Sequence, residues 1–132
     1  MKPKIEEIIV SLASPVEQTS KLSEVGVIIE VRSYRVKPGK RDQFIEFFEK
    51  RAIPAQREYG MNVFGPLLDV ENPNKFVFLR SFPSLDERDP LKDNFYGGPL
   101  WKNELEGIAM PMIDSYDVIL CESSSGRVFE IP

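Results

Sequence analysis

The sequence predicts an α+β domain in which a four-stranded antiparallel sheet, ordered β-α-β-β-α-β along the chain, carries both helices on one face. Three observations predict it. A β-rich run over 27–36 alternates aliphatic with mixed polar side chains, and a phenylalanine-rich amphipathic segment follows it. A turn-rich tetrapeptide then separates two further strand-like runs at hairpin spacing. The chain has 132 residues, the size of one domain.

The first strand is Val27-Ile28-Ile29-Glu30-Val31-Arg32-Ser33-Tyr34-Arg35-Val36, with Val27, Ile29 and Val31 alternating with Glu30, Arg32 and Tyr34. Lys37-Pro38-Gly39 makes the turn that ends it. A helix is expected over Arg41–Tyr59, placing Phe44, Phe47, Phe48, Arg51, Ala52 and Ala55 on one side, kinked near its end by Pro54 and stopped by Gly60. Strands at 61–70 and 75–82 flank Glu71-Asn72-Pro73-Asn74. Ser84 with Glu87 reads as a capping box opening a helical region from Leu85 to Ala109, interrupted at Pro90 and at Gly97-Gly98-Pro99. Ser115 to Cys121 is the fourth strand. Residues 1–24 read as an arm in which Ile5, Ile8, Ile9 and Leu12 share a helical face, 25–122 as the domain, and 123–132 as a tail.

This element order is that of the ferredoxin-like split β-α-β unit, and it leaves one sheet face needing a cover. The aliphatic set of the first strand is assigned to the helices. Glu30, Arg32 and Tyr34, with Phe76, Phe78, Arg80 and Phe82 of the third strand, are assigned to the opposite face. So large an apolar patch argues for a second copy of the chain as its cover, and hence for a homodimer.

Composition excludes several classes. Hydrophobic residues make up 42% and charged residues 29% of the chain, as in ordinary globular proteins rather than disordered ones. No apolar run approaches a bilayer span of about 20 residues. Glu6 and Glu7 interrupt the apolar stretch near the amino terminus, so no secretory signal is expected and the location is cytoplasmic or an organelle matrix. A net charge of −4, with scattered basic residues, argues against nucleic acid as a partner. The chain contains one cysteine and no histidine, which disfavours a disulfide, a metal site and the commonest general base. Cys121 is expected to be a small buried apolar residue and no cofactor is expected.

Glu30-Val31-Arg32-Ser33-Tyr34 followed by Lys37-Pro38-Gly39, the phenylalanine-rich helix, Phe82 to Arg88, Trp101 and Met110-Pro111-Met112 together resemble the NIPSNAP family, over about residues 27–121. The resemblance implies a dimeric α/β barrel in which two ferredoxin-like subunits bring their sheets together. It also implies kinship with a wider group that contains cofactor-free monooxygenases, haem-degrading enzymes and barrels of unknown role, so the fold does not choose an activity. The chain departs from the family where a His-Leu-Trp-like run is usual: here it has Phe78-Leu79-Arg80.

Glu30, Arg32 and Tyr34 at alternate strand positions point one way and suit a pocket: arginine offers a planar donor fork, tyrosine a hydroxyl, and Glu30 a base if burial raises its pKa. Phe76, Phe78 and Phe82 would be the aromatic wall, Arg80 a second anchor and Trp101 a roof. The bland reading is that Glu30 and Arg32 or Arg80 are ion-paired partners within the dimer that fix its register, while the aromatics, with Met110 and Met112, only fill space and Arg35 and Arg41 are solvated. Two functions therefore stay open. One is a protein that binds or transforms a small planar, apolar, oxygen-bearing molecule without a cofactor, as a monooxygenase-like oxidoreductase or an isomerase-like enzyme would. The other is a non-enzymatic dimeric interaction module.

Overall fold

The computed structural model describes residues 27–123; the expected arm, its helical face and the tail beyond Ser123 lie outside the described residues. Strand β1 (Ile28–Val36) leads through Lys37-Pro38-Gly39 into helix α1 (Arg41–Phe47), a π-helical turn (Phe48–Ala52) and helix α2 (Ile53–Glu58). Strands β2 (Asn62–Leu68) and β3 (Lys75–Phe82) follow, then α3 (Leu85–Tyr96), a second π-turn (Trp101–Leu105), α4 (Glu106–Ala109), a 3-10 turn (Met110–Met112) and β4 (Ile113–Glu122). The sheet order is β2-β3-β1-β4 and every pairing is antiparallel, which is the expected β-α-β-β-α-β architecture. Among the described residues no helix is long and apolar enough to cross a membrane.

The sheet is turned over relative to the sequence expectation. Tyr34, Phe76, Phe78 and Phe82 pack with Phe44, Phe47, Phe48, Leu105 and Ala109, so the mixed set faces the helices. Val27, Ile29 and Val31 lie on the other face with Phe64 and Leu79. The physical reason is area: each buried phenylalanine or tyrosine removes more apolar surface from water than a valine does, and the charges among them satisfy one another. The aromatic set forms a chain of ring contacts from Tyr34 through Phe76 and Phe78 to Phe48, with centroids 4.6–5.7 Å apart.

Local rules explain most element boundaries. The hydroxyl oxygen of Ser84 accepts from the Glu87 backbone N–H at 3.3 Å, capping α3 as the sequence anticipates. Pro90, expected to interrupt that helix, lies inside it. Pro54 follows the first π-turn, where the Ile53 N–H donates to the Phe48 carbonyl; the wide turn absorbs the irregularity ahead of the proline. Arg51 is exposed and pairs with Glu104 at 3.3 Å instead of facing the core. Arg41 is not simply solvated: its Nη1 donates to the carbonyls of Asp69, Asn72 and Lys75 at 2.8, 3.1 and 2.9 Å, tying α1 to the β2–β3 loop. Cys121 is exposed on β4, not buried, because β4 is an edge strand with no helix over that side of it among the described residues.

Strand β2 is bulged between Phe64 and Leu67, and Gly65 there has φ +121°. A Cβ at Gly65 would stand 3.1 Å from Phe78 Cβ and 3.2 Å from Phe78 Cα. Gly65→Ala should therefore cost about 2 kcal/mol in urea unfolding, from backbone strain and displacement of Phe78.

Candidate functional site

Glu30 is fully buried on the helix face of β1, where three guanidinium groups meet its carboxylate. Arg80, its partner across the β1–β3 register, donates from Nε to Oε1 at 2.6 Å. Arg32, two residues along β1, donates from Nη1 to the same oxygen at 3.0 Å, and Arg88 on α3 donates from Nε to Oε2 at 2.7 Å. All of these pairs form within one chain, and they include the Glu30–Arg32 and Glu30–Arg80 pairs of the bland reading. Burial on its own would raise the Glu30 pKa, but the charge and hydrogen bond of Arg80, then the charge of Arg32 and the hydrogen bond of Arg88, overcome it and hold the pKa at about 2. Glu30 is therefore a fixed anion at neutral pH, which corrects its candidacy as a base.

Arg32 is oriented from both ends. Its Nε and Nη2 donate to the Tyr34 hydroxyl oxygen at 3.2 and 3.0 Å, while Nη1 reaches Glu30. Its Cζ also stands 5.8–5.9 Å from the ring centroids of Tyr34, Phe78 and Tyr116. Burial raises the Tyr34 pKa and Tyr96 adds to this, against Arg32, so Tyr34 is a neutral phenol. Both Arg32 contacts use its oxygen as acceptor, leaving the hydroxyl hydrogen for another group. Arg80 sits one layer behind: its Nη1 donates to Gln56 Oε1 and to the Tyr96 hydroxyl, both at 2.8 Å.

Arg32 and Tyr34 line a cleft of about 330 Å³ between the sheet and the helical layer, walled by Tyr96, Trp101 and Tyr116, with Lys92 and Glu106 also lining it. An apolar crevice of about 40 Å³ adjoins it, sharing Tyr34, Tyr96 and Trp101 and adding Phe78 and Gln56. The expected pocket residues thus divide. Arg32, Tyr34 and Trp101 line the cleft, Phe78 lines the crevice, and Glu30 and Arg80 stand behind them. Phe76 and Phe82 are fully buried and line neither cavity. Met112 is buried as expected, but Met110 is exposed and lines the cleft. Trp101 both lines the cleft and packs on Phe95 and Tyr96, at 5.8 and 5.1 Å between centroids.

Sequence reasoning missed Arg88, Tyr96 and Tyr116. Strand alternation could have found Tyr116, which is paired with Tyr34. Arg88 and Tyr96 depend on how α3 docks and carry no comparable signal. Among the described residues no group of three or more His, Cys, Asp or Glu side chains could hold a metal ion.

The Glu30 pKa is lower in the folded chain than the ordinary 4.5, so its stabilisation is fully present above about 4.5 and is lost as pH falls toward about 2. Urea unfolding at a series of pH values should show stability declining across that window. Glu30→Gln should remove that component and cost about 3–5 kcal/mol at neutral pH, because it leaves buried arginines without their anion.

The NIPSNAP family profile matches residues 29–119. Two structures from Agrobacterium tumefaciens described as NIPSNAP family proteins share the fold: one, of unknown function, has TM-score 0.68 and 23% identity over 76% of this chain and 90% of its own. The other has TM-score 0.67 and 20% identity over 74% and 86%. A Nitrosomonas europaea protein with the provisional description of antibiotic biosynthesis monooxygenase is similar in fold at TM-score 0.56, with 16% identity over 75% and 91%. No curated protein sequence matches. With its profile match spanning most of the described domain and its sheet and helices superposing on these structures, the chain belongs to the NIPSNAP family.

Proposed function

We propose that the chain binds a small planar, oxygen-bearing aromatic molecule in the cleft between sheet and helices, without a cofactor, and that Arg32 and Tyr34 hold its oxygen. The observation that carries this reading is Arg32, a buried guanidinium fixed by Glu30 and Tyr34 beside a cleft walled by aromatic rings. Preorganised donors of this kind lose little freedom on binding a ligand. They also polarise a bound carbonyl or stabilise an enolate formed from it, the service that an isomerase-like or monooxygenase-like reaction without a cofactor requires. Tyr34, rather than Glu30, is the proton donor in such a reaction, because it is neutral and has its hydroxyl hydrogen to give.

Trp101 is the chain's single tryptophan and lines the cleft, so its fluorescence reports occupancy. Titration with chromone, a neutral planar ketone, should quench it saturably. Arg32→Gln should weaken that binding by about tenfold or more, the loss expected for a hydrogen bond from a charged donor. The variant should keep its circular dichroism spectrum, since Glu30 retains Arg80 and Arg88. Unsaturable quenching, or equal affinity in the variant, would remove the basis for this site.

The same reading places a second copy of the chain on the opposite sheet face, where exposed Leu67 and Ile119 flank half-buried Val31 and Leu79. Sedimentation velocity should then show a dimer for the full chain and a monomer for Ile119→Asp. Because Ile119 is already 57% exposed, that change should leave the fold intact.

A further inference from the structure

We infer that the ligand of this cleft is an organic monoanion, an aromatic carboxylate whose charge meets Arg32. The inference rests on the reading of the cleft as the ligand site and adds the charge of the molecule that fills it.

Glu30 supplies one negative charge, and Arg32, Arg80 and Arg88 supply three positive ones around it. Arg88 is partly shared outward, since its Nη1 also reaches the exposed carboxylate of Asp89 at 3.3 Å. That leaves Arg32 and Arg80, with side chains 8% and 0% exposed, served by a single anion. The other contacts of these two arginines are neutral: Tyr34 for Arg32, and Gln56 and Tyr96 for Arg80. Lys92 and Glu106, one of each sign, add no net formal charge to the cleft lining. Among the described residues one buried positive charge therefore remains beside the cleft, and a buried charge without a counter-ion is costly. The aromatic faces around Arg32 and Arg80 offset only part of that cost.

A guanidinium has five N–H groups, and the contacts of Arg32 use one on each nitrogen, leaving one on each terminal nitrogen. Two charged donors suit the two oxygens of a carboxylate, and the Tyr34 hydroxyl hydrogen makes a third. Among the described residues Arg80 Nη2, on the guanidinium that donates to Tyr96, has no hydrogen-bond partner, which adds to the positive potential behind the cleft wall. The aromatic wall supplies the remaining requirement, a flat apolar body attached to the anion.

Calorimetric titration with 2-naphthoate and its neutral isostere 2-naphthamide separates charge from shape. The acid should bind about tenfold tighter or more, and Arg32→Gln should reduce that preference to near parity by weakening the acid more than the amide. Equal affinities in the unaltered protein would overturn the inference, and because that comparison needs no variant it does not depend on how Arg32→Gln folds. Tighter binding of naphthalene-2,3-dicarboxylate than of 2-naphthoate would overturn the assignment of a single charge. Chromone binding without any preference for the acid would refute the charge assignment alone. Failure of chromone and both naphthyl compounds to bind would refute the cleft as the site, and this inference with it.

Discussion

Everything near the cleft depends on burying Glu30. A carboxylate with no solvent exposure must be neutralised or fully bonded, and here it is fully bonded, by arginines from two neighbouring strand positions and from α3. The consequence is mutual. The carboxylate fixes the direction of Arg32 and Arg80, and Arg88 docks α3 over the sheet through the other oxygen. One side chain thus sets both the packing of a helix and the aim of the arginine that faces the cleft. A residue positioned for such work is poorly suited to proton transfer, and the low pKa reflects that division of labour.

The architecture was legible in the sequence because its signals are local. The alternation through Glu30, Arg32 and Tyr34, the turn before α1, the Ser84 cap and the Glu71–Asn74 loop each follow from residue type and spacing, and each strand lies where its pattern lies. Which face of the sheet turns inward was not legible. Alternation sorts β1 into two sets without saying which the helices cover, and hydrophobicity alone favoured the aliphatic set. The decision belongs to tertiary packing: three arginines and a glutamate become tolerable in a core only when they find each other, a fact held in the β1–β3 register and the docking of α3. The inversion moves the pocket from between two sheets to between sheet and helices, yet Arg32, Tyr34 and Trp101 still meet there.

The two faces of the sheet now carry different chemistry. The helix side combines charge, phenols and aromatic rings, whereas the second apolar cluster consists of aliphatic residues and Phe64. Strand β4 borders both: Tyr116, opposite Tyr34, belongs to the cleft, while Ile119 and Cys121, opposite Val31 and Ile29, belong to the other side.

The π-turn between α1 and α2 amounts to one residue inserted into an otherwise α-helical run. Each residue advances an α-helix by about 100°, so the inserted residue swings the whole of α2 around its axis relative to α1. That rotation lets Phe44 and Phe47 ahead of the turn and Ala55 and Gln56 beyond it all face inward, with Gln56 reaching Arg80. The length of this segment is therefore as constrained as its composition. Excising one residue at the turn would restore a regular helix and carry the Gln56 amide away from the guanidinium it serves, an error that no substitution at Gln56 itself could repair.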